Sequence, residues 1–234
     1  MDMSKIVPVG PTTISLISVT IIALILQSCG STKNQSIREW EKHEWKIAKE
    51  DKNTKPEWTI RRRKIRNSAF WEYRIEGKIS ASPKEGTTWY REEIHKLAKG
   101  GNSKKYPTYK ILNKSGDDVL TYMIYNEPFP FKNTEMCVRY VFEDMENGIR
   151  RIVWKEAWND YEKHPNKKLK RVESFRGSIK LSSHDGEMTQ FVQTVQFDPK
   201  GMPKWLVNPM VTKFLKKELE KFRSINTTIK QSTH

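Results

Sequence analysis

Cysteine is scarce in this chain of 234 residues: only Cys29 and Cys137 occur, far apart and in no C-x-x-C arrangement. That leaves no basis for a redox pair or a thiolate metal site. Histidine is thinly spread as well: His43, His95, His164, His184 and His234 fall in no H-x-x-x-H or H-E-x-x-H frame. Neither a metal nor any other cofactor is therefore expected. A G-x-S-x-G elbow, a paired-carboxylate frame and a Cys/His set with a placed helper are all missing, so the chain is not expected to be an enzyme, and Cys137 reads as a buried apolar thiol. Acidic residues are in deficit, 28 against 43 Lys and Arg, a net charge of +15. Such a balance favours an anionic partner, whether a lipid headgroup surface, nucleic acid or an acidic protein. The charge does not exclude folding, because eight Trp, eight Tyr and nine Phe are spread along the chain.

A long membrane span is lacking too. The uncharged run Thr12 to Leu26 (TTISLISVTIIALIL) has about 15 residues where a span needs roughly 20. It follows a short head containing Lys5 and stops at Ser28-Cys29-Gly30, the pattern of a signal-peptide h-region with its processing site. Leu26-Gln27-Ser28-Cys29 resembles the lipobox of bacterial lipoproteins. That resemblance implies cleavage before Cys29 and lipid attachment to its thiol, each buried CH₂ adding about 0.8 kcal/mol of membrane affinity. Gly30 rather than Asp after the cysteine implies the outer membrane by the enterobacterial sorting rule, in a cell envelope with the folded part facing the periplasm. The expected division is a signal peptide over 1–28, a flexible tether over 29–36 (CGSTKNQS), one domain over 37–225 and a disordered tail over 226–234.

Within the domain, Ile37 to Lys49 carries a loose helical stripe of Ile37, Trp40, Ile47 and Ala48. Trp58, Ile60 and Arg62 alternate as a strand, and Phe70 to Ser80 sets Trp71, Tyr73, Ile75 and Ile79 on one face, so the two runs read as a hairpin around Asn67-Ser68. The run Arg61 to Arg66 reads as a strand's wet face rather than a nucleic-acid site. Ser82-Pro83-Lys84-Glu85 opens a helix with an N-cap, proline at the first position and a capping box, and Gly100-Gly101 ends it. Strands are expected over Thr108–Asn113, Asp118–Asn126, Met136–Glu143, Ile149–Trp158, Arg171–Ser182 and Glu187–Phe197. Turns fall at Ser115-Gly116-Asp117, Glu146-Asn147-Gly148 and His184-Asp185-Gly186. Pro203 to Ser224 is amphipathic, with Val207, Val211, Phe214, Leu215, Leu219 and Phe222 opposite Lys213, Lys216, Lys217 and Glu220.

This order predicts an α+β chain with the helix-grip fold, a curved antiparallel sheet wrapped around a long C-terminal helix. The junction Phe197-Asp198-Pro199-Lys200-Gly201-Met202-Pro203-Lys204-Trp205-Leu206-Val207-Asn208 resembles the START (StAR-related lipid transfer) domain family of the Bet v 1-like superfamily. There an Asp-Pro-x-Gly turn followed by x-Pro-x-Trp-Leu-Val-Asn leads the last strand into the closing helix. Pro128-x-Pro130 and Ser82-Pro83 add to the likeness, which spans about Trp58 to Ser224. Where many relatives carry Arg-Asp after the Pro-x-Pro segment, this chain has Thr134-Glu135, so no contact made by that arginine carries over.

The resemblance implies a cavity between sheet and helix that holds a lipid or other hydrophobic small molecule, admitted when the helix or a nearby loop lifts at a membrane surface. Strand parity and the helix stripe nominate Trp71, Tyr73, Tyr122, Ile124, Val138, Tyr140, Trp154, Phe191, Val195, Val207, Met210 and Phe214 as its lining; the same residues would serve in a solid core. Arg139 and Glu156 read as a solvent-facing ladder pair. Three other roles compete: an enzyme using the same cavity, a nucleic-acid binder, which export argues against, and a structural envelope protein with a filled interior.

Overall fold

The strand signals resolve into one sheet. In the computed structural model, which describes residues 43–53, 55, 57–65, 71–100, 103–126, 133–161, 168–184, 188–197 and 204–225, the chain runs β1 (Lys46–Asp51), β2 (Trp58–Lys64), β3 (Trp71–Ile79), α1 (Pro83–Lys99), β4 (Thr108–Ser115), β5 (Asp118–Tyr125), β6 (Thr134–Asp144), β7 (Arg150–Glu156), β8 (Lys170–Arg171), β9 (Arg176–His184), β10 (Met188–Phe197) and α2 (Lys204–Arg223). The described strands order as β1-β2-β3-β10-β9-β7-β6-β5-β4 with antiparallel neighbours, and two-residue β8 pairs parallel with β6 at Thr134 and Glu135. The sheet is curved, and α2 completes an α+β helix-grip fold.

Each element follows from local chemistry. Ser82 caps α1 by accepting from Glu85 N–H at 3.2 Å, while the Glu85 carboxylate accepts from Ser82 N–H at 2.7 Å, the reciprocal box the sequence promised. The β6–β7 hairpin turns through Asn147 (φ 57°) and Gly148 (φ 69°), the left-handed pair that a tight antiparallel reversal requires. On α2, Val211, Phe214, Leu215, Leu219 and Phe222 are buried at three- and four-residue steps, whereas Lys213, Lys216 and Glu220 stay exposed. Burying one such apolar side chain contributes about 1.5–3 kcal/mol.

Two expectations are corrected. Lys46–Lys49 belongs to edge strand β1, paired with β2, and not to a helix; a seven-residue partner in register outweighs a weak helical stripe. The single strand expected over Arg171–Ser182 is β8 followed, after a break, by β9. β8 occupies the stretch of the β6 edge next to that used by β7, with Val172 N–H donating to the Glu135 carbonyl at 2.9 Å. The segments around Asn67-Ser68, Pro128-x-Pro130 and Asp198–Pro203 lie outside the described residues, as do residues 1–42.

Candidate functional site

Register builds the face beneath α2. One row runs across the sheet as Tyr73, Val195, Gly177, Trp154, Tyr140 and Val119; the next as Ile75, Gln193, Ile179, Ile152 and Phe142; a third as Gly77, Phe191 and Leu181. Every member of these rows is buried except Gly177, which is half-buried. Residues directly opposite across a strand pair share a face, so Trp71, Tyr73, Val138, Tyr140, Trp154, Phe191 and Val195 come together in one core, and Met210 and Phe214 pack against it from α2. The side chain of Val207 lies outside the described residues.

Tyr122 and Ile124 do not join them. Strand parity turns both to the opposite face of β5, where Tyr122 meets Tyr161 (5.2 Å between ring centres) and Trp158 (6.4 Å), and its phenol donates to the buried Glu135 carboxylate at 3.0 Å. Arg171 reaches the same carboxylate at 3.1 Å and stacks on Trp158 at 3.9 Å. Buried Leu120, Cys137 and Ala157 complete this outer cluster, and burial pushes the Cys137 thiol up to about 11. Alternation misled here because β5 is buried on both faces, and a continuous apolar run carries no parity signal.

Arg139 and Glu156 also depart from expectation: Glu156 registers with Val138 and Arg139 with Lys155, so the two are not partners. Arg139 pairs with Asp118 and Asp160 instead. Glu156 binds Arg176 and accepts from Phe175 N–H at 3.1 Å. The Arg61–Arg66 run splits as well. Arg61 and Arg63 bind Glu76 and Glu72 on the outer face, while Arg62 takes the inner row beside Tyr73 and stands 5.3 Å over the Trp71 ring. Burial raises the Tyr73 phenol against the opposing pull of Arg62.

Polar groups that the sequence reading passed over sit among these apolar rows. The Trp154 indole presses on Gly177, where a Cβ would stand 2.5 Å from Cζ2 and 2.8 Å from Cε2. Its Nε1, bonded to Cε2, is buried without a hydrogen-bond partner. Gln193, 1% exposed, has an unpartnered Oε1, and Asn208 on α2 an unpartnered Oδ1. Gln193 was legible in principle, since it shares parity with Phe191 and Val195. The strand glycines were too, because glycine inside a strand marks close approach. Farther along α2, burial raises the Glu218 carboxyl, and Lys221 binds it at 2.8 Å. Burial also holds Lys105 near Lys217 and Lys221 down to about 7.

No metal-binding cluster is found among the described residues, and none of their helices is long and apolar enough to cross a membrane. No protein-family model and no curated protein matches the sequence. Solved structures do match the fold. A STAR-related lipid transfer protein fragment from Xanthomonas axonopodis superposes with a TM-score of 0.60 at 18% identity, covering 77% of this chain and 97% of that one. The lipid transfer and protein localization domain of human StarD13 gives 0.60 at 11%, covering 78% and 88%. Human StAR-related lipid transfer protein 5 gives 0.57 at 12%, covering 81% and 88%. The chain therefore has the helix-grip fold of START domains.

Proposed function

We propose that this protein binds a lipid or similar hydrophobic molecule between the sheet and α2, without catalysing its conversion, while tethered to a bacterial envelope membrane through lipid on Cys29. The observation that carries the reading is the row of large apolar and aromatic side chains facing α2, interrupted by buried polar atoms that have no partner. Apolar area buried on binding contributes about 25 cal/mol per Å², and a few polar groups orient the guest. The three solved structures named above are lipid transfer proteins or domains, which agrees with the reading. Pro209 lies inside α2 and has no N–H to give the preceding turn, so the first turns of this helix are its weakest and suit an opening movement. Excess positive charge favours anionic headgroups at the point of exchange.

Organic extraction of the natively purified full chain, followed by mass spectrometry, tests the binding. A lipid recovered in stoichiometric amount is expected; empty protein that takes up no fluorescent lipid would overturn the proposal. Labelled palmitate should enter the wild-type chain and be lost in Cys29→Ser, which checks the tether separately.

A further inference from the structure

Resting on the lipid-binding reading, we infer that the bound molecule carries a hydrogen-bond-donating polar group, a hydroxyl or an amide, which bridges Trp154 and Gln193 at the sheet and reaches toward Asn208. Three facts converge. Trp154 and Gln193 are 3% and 1% exposed, and Trp154 Nε1 and Gln193 Oε1 are buried without partners, so they are not bonded to each other. They are neighbours in the sheet: the Trp154 ring lies on Gly177, which pairs with Val195, and Gln193 is the next inward residue along β10. Gly177 and Gln193, on adjacent strands, are diagonal neighbours about 7–8 Å apart, so one polar group can span from the indole over Gly177 to the Gln193 amide.

The third fact concerns α2. Leu219 stands over Gly77 and Arg223 donates to the Lys78 carbonyl at 3.2 Å, which fixes the C-terminal end of α2 on β3. At about 1.5 Å per residue, Asn208 stands roughly 16 Å back along the helix. The four strand residues from Gly77 back to Tyr73 cover about 13 Å. Because β10 ends at Phe197 opposite Trp71 and α2 begins at Lys204, seven residues on, the helix starts toward the Trp71–Tyr73 end of β3 and its first turns approach the Tyr73–Trp154 row.

Leaving buried polar atoms unpaired costs about 1–3 kcal/mol each, so native chains rarely keep several together. The set comprises one N–H donor and two amide oxygens. A carboxylate, ester or phosphodiester would satisfy the indole but offer only oxygen to Gln193 and Asn208. A hydroxyl or primary amide both accepts from Trp154 and donates to an amide oxygen.

The test is binding of four eighteen-carbon probes, oleyl alcohol, oleamide, methyl oleate and oleate, to the full chain by displacement of a fluorescent fatty probe. The alcohol and amide are expected to bind about tenfold more tightly than the ester and the anion, the worth of one buried hydrogen bond. In Gln193→Leu that preference should shrink to within about twofold to threefold, whereas Trp154→Phe, which removes the donor that every probe's oxygen can accept from, should weaken binding of all four probes. Two variants guard against one that fails to fold, each checked by its thermal unfolding. Equal binding of ester and alcohol, a preference that survives Gln193→Leu, or binding of all four probes unchanged in Trp154→Phe would overturn the inference and leave lipid binding standing; the unpaired atoms would then be served by buried water alone. Failure of all four probes and of the fluorescent one would sink the lipid-binding reading and this inference together.

Discussion

Where the C-terminal half of α2 crosses the sheet, side chains meet with no polar remainder: Phe222 lies 4.8 Å from Phe191, 5.0 Å from Trp89 and 6.1 Å from Tyr90 between ring centres, and Leu219 fills the space over Gly77. Gly86 lets α1 close on the same spot, since a Cβ there would stand 2.7 Å from Leu181 Cδ1. Away from that crossing, the inner face of the sheet carries Trp154 and Gln193, and the N-terminal half of the helix carries Asn208, all with unpaired polar atoms. One helix thus covers two surfaces, one finished by the chain itself and one whose hydrogen bonds are incomplete. An interface that only stabilised the fold would gain from apolar residues at both ends.

The contrast breaks most visibly at its finished end. Phe222→Ala should lower unfolding free energy in urea by about 3–5 kcal/mol, since it opens a cavity among three rings and Leu219. A loss under about 1 kcal/mol would mean that this end is looser than its contacts indicate. The glycines give the next largest effect. At Gly177 a Cβ would meet the Thr194 carbonyl and the Trp154 ring, neither of which is a flexible tip, so Gly177→Ala should cost about 1–3 kcal/mol. At Gly77 the obstacle is Leu219 Cδ2 at 2.8 Å, the movable end of a side chain, so Gly77→Ala should cost less. Paired denaturation curves check the order, and a reversal would contradict the packing described.

Much of this architecture was legible from residues alone. The α1 cap, the α2 stripe and the alternation of β3 and β10 are local, and each is realised because one face meets apolar core and the other does not. β1 was not legible, for KIAKED has neither strand composition nor clean alternation and is extended only because β2 supplies a partner. Tyr122 was misassigned for the converse reason, a strand apolar on both sides of a sheet that has a small second core behind it. Gln193 was not legible from hydropathy because its amide interrupts an apolar stripe, although parity alone puts it between Phe191 and Val195.

At the unfinished end the expected effect is smaller and opposite in sign. Gln193→Leu removes an unpaired buried oxygen and keeps the volume, so the ligand-free chain should gain about 1 kcal/mol in urea unfolding. A loss of that size would mean that Gln193 already has a partner, such as ordered water, and would erase the contrast between the two ends.

The smallest effect sharpens the comparison by asking what a buried polar group does when the chain supplies its partner. Glu218 is buried in the finished half of α2 and held by Lys221. Burial foremost, with repulsion from Glu93, raises its pKa above the ordinary 4.5, against the pull of Lys221 and Lys217. The folded chain therefore holds this proton more tightly than the unfolded one. The contribution is fully present below the unfolded value and is lost as pH rises through the folded value. Glu218→Gln keeps an acceptor for Lys221 and lacks the titration, so its stability relative to wild type should climb as pH rises from 4.5 toward neutrality. Urea unfolding of both proteins across that range measures the difference directly. A relative stability that instead fell with pH would mean that Lys221 outweighs desolvation, and that a partner from the chain can make even a buried charge favourable here.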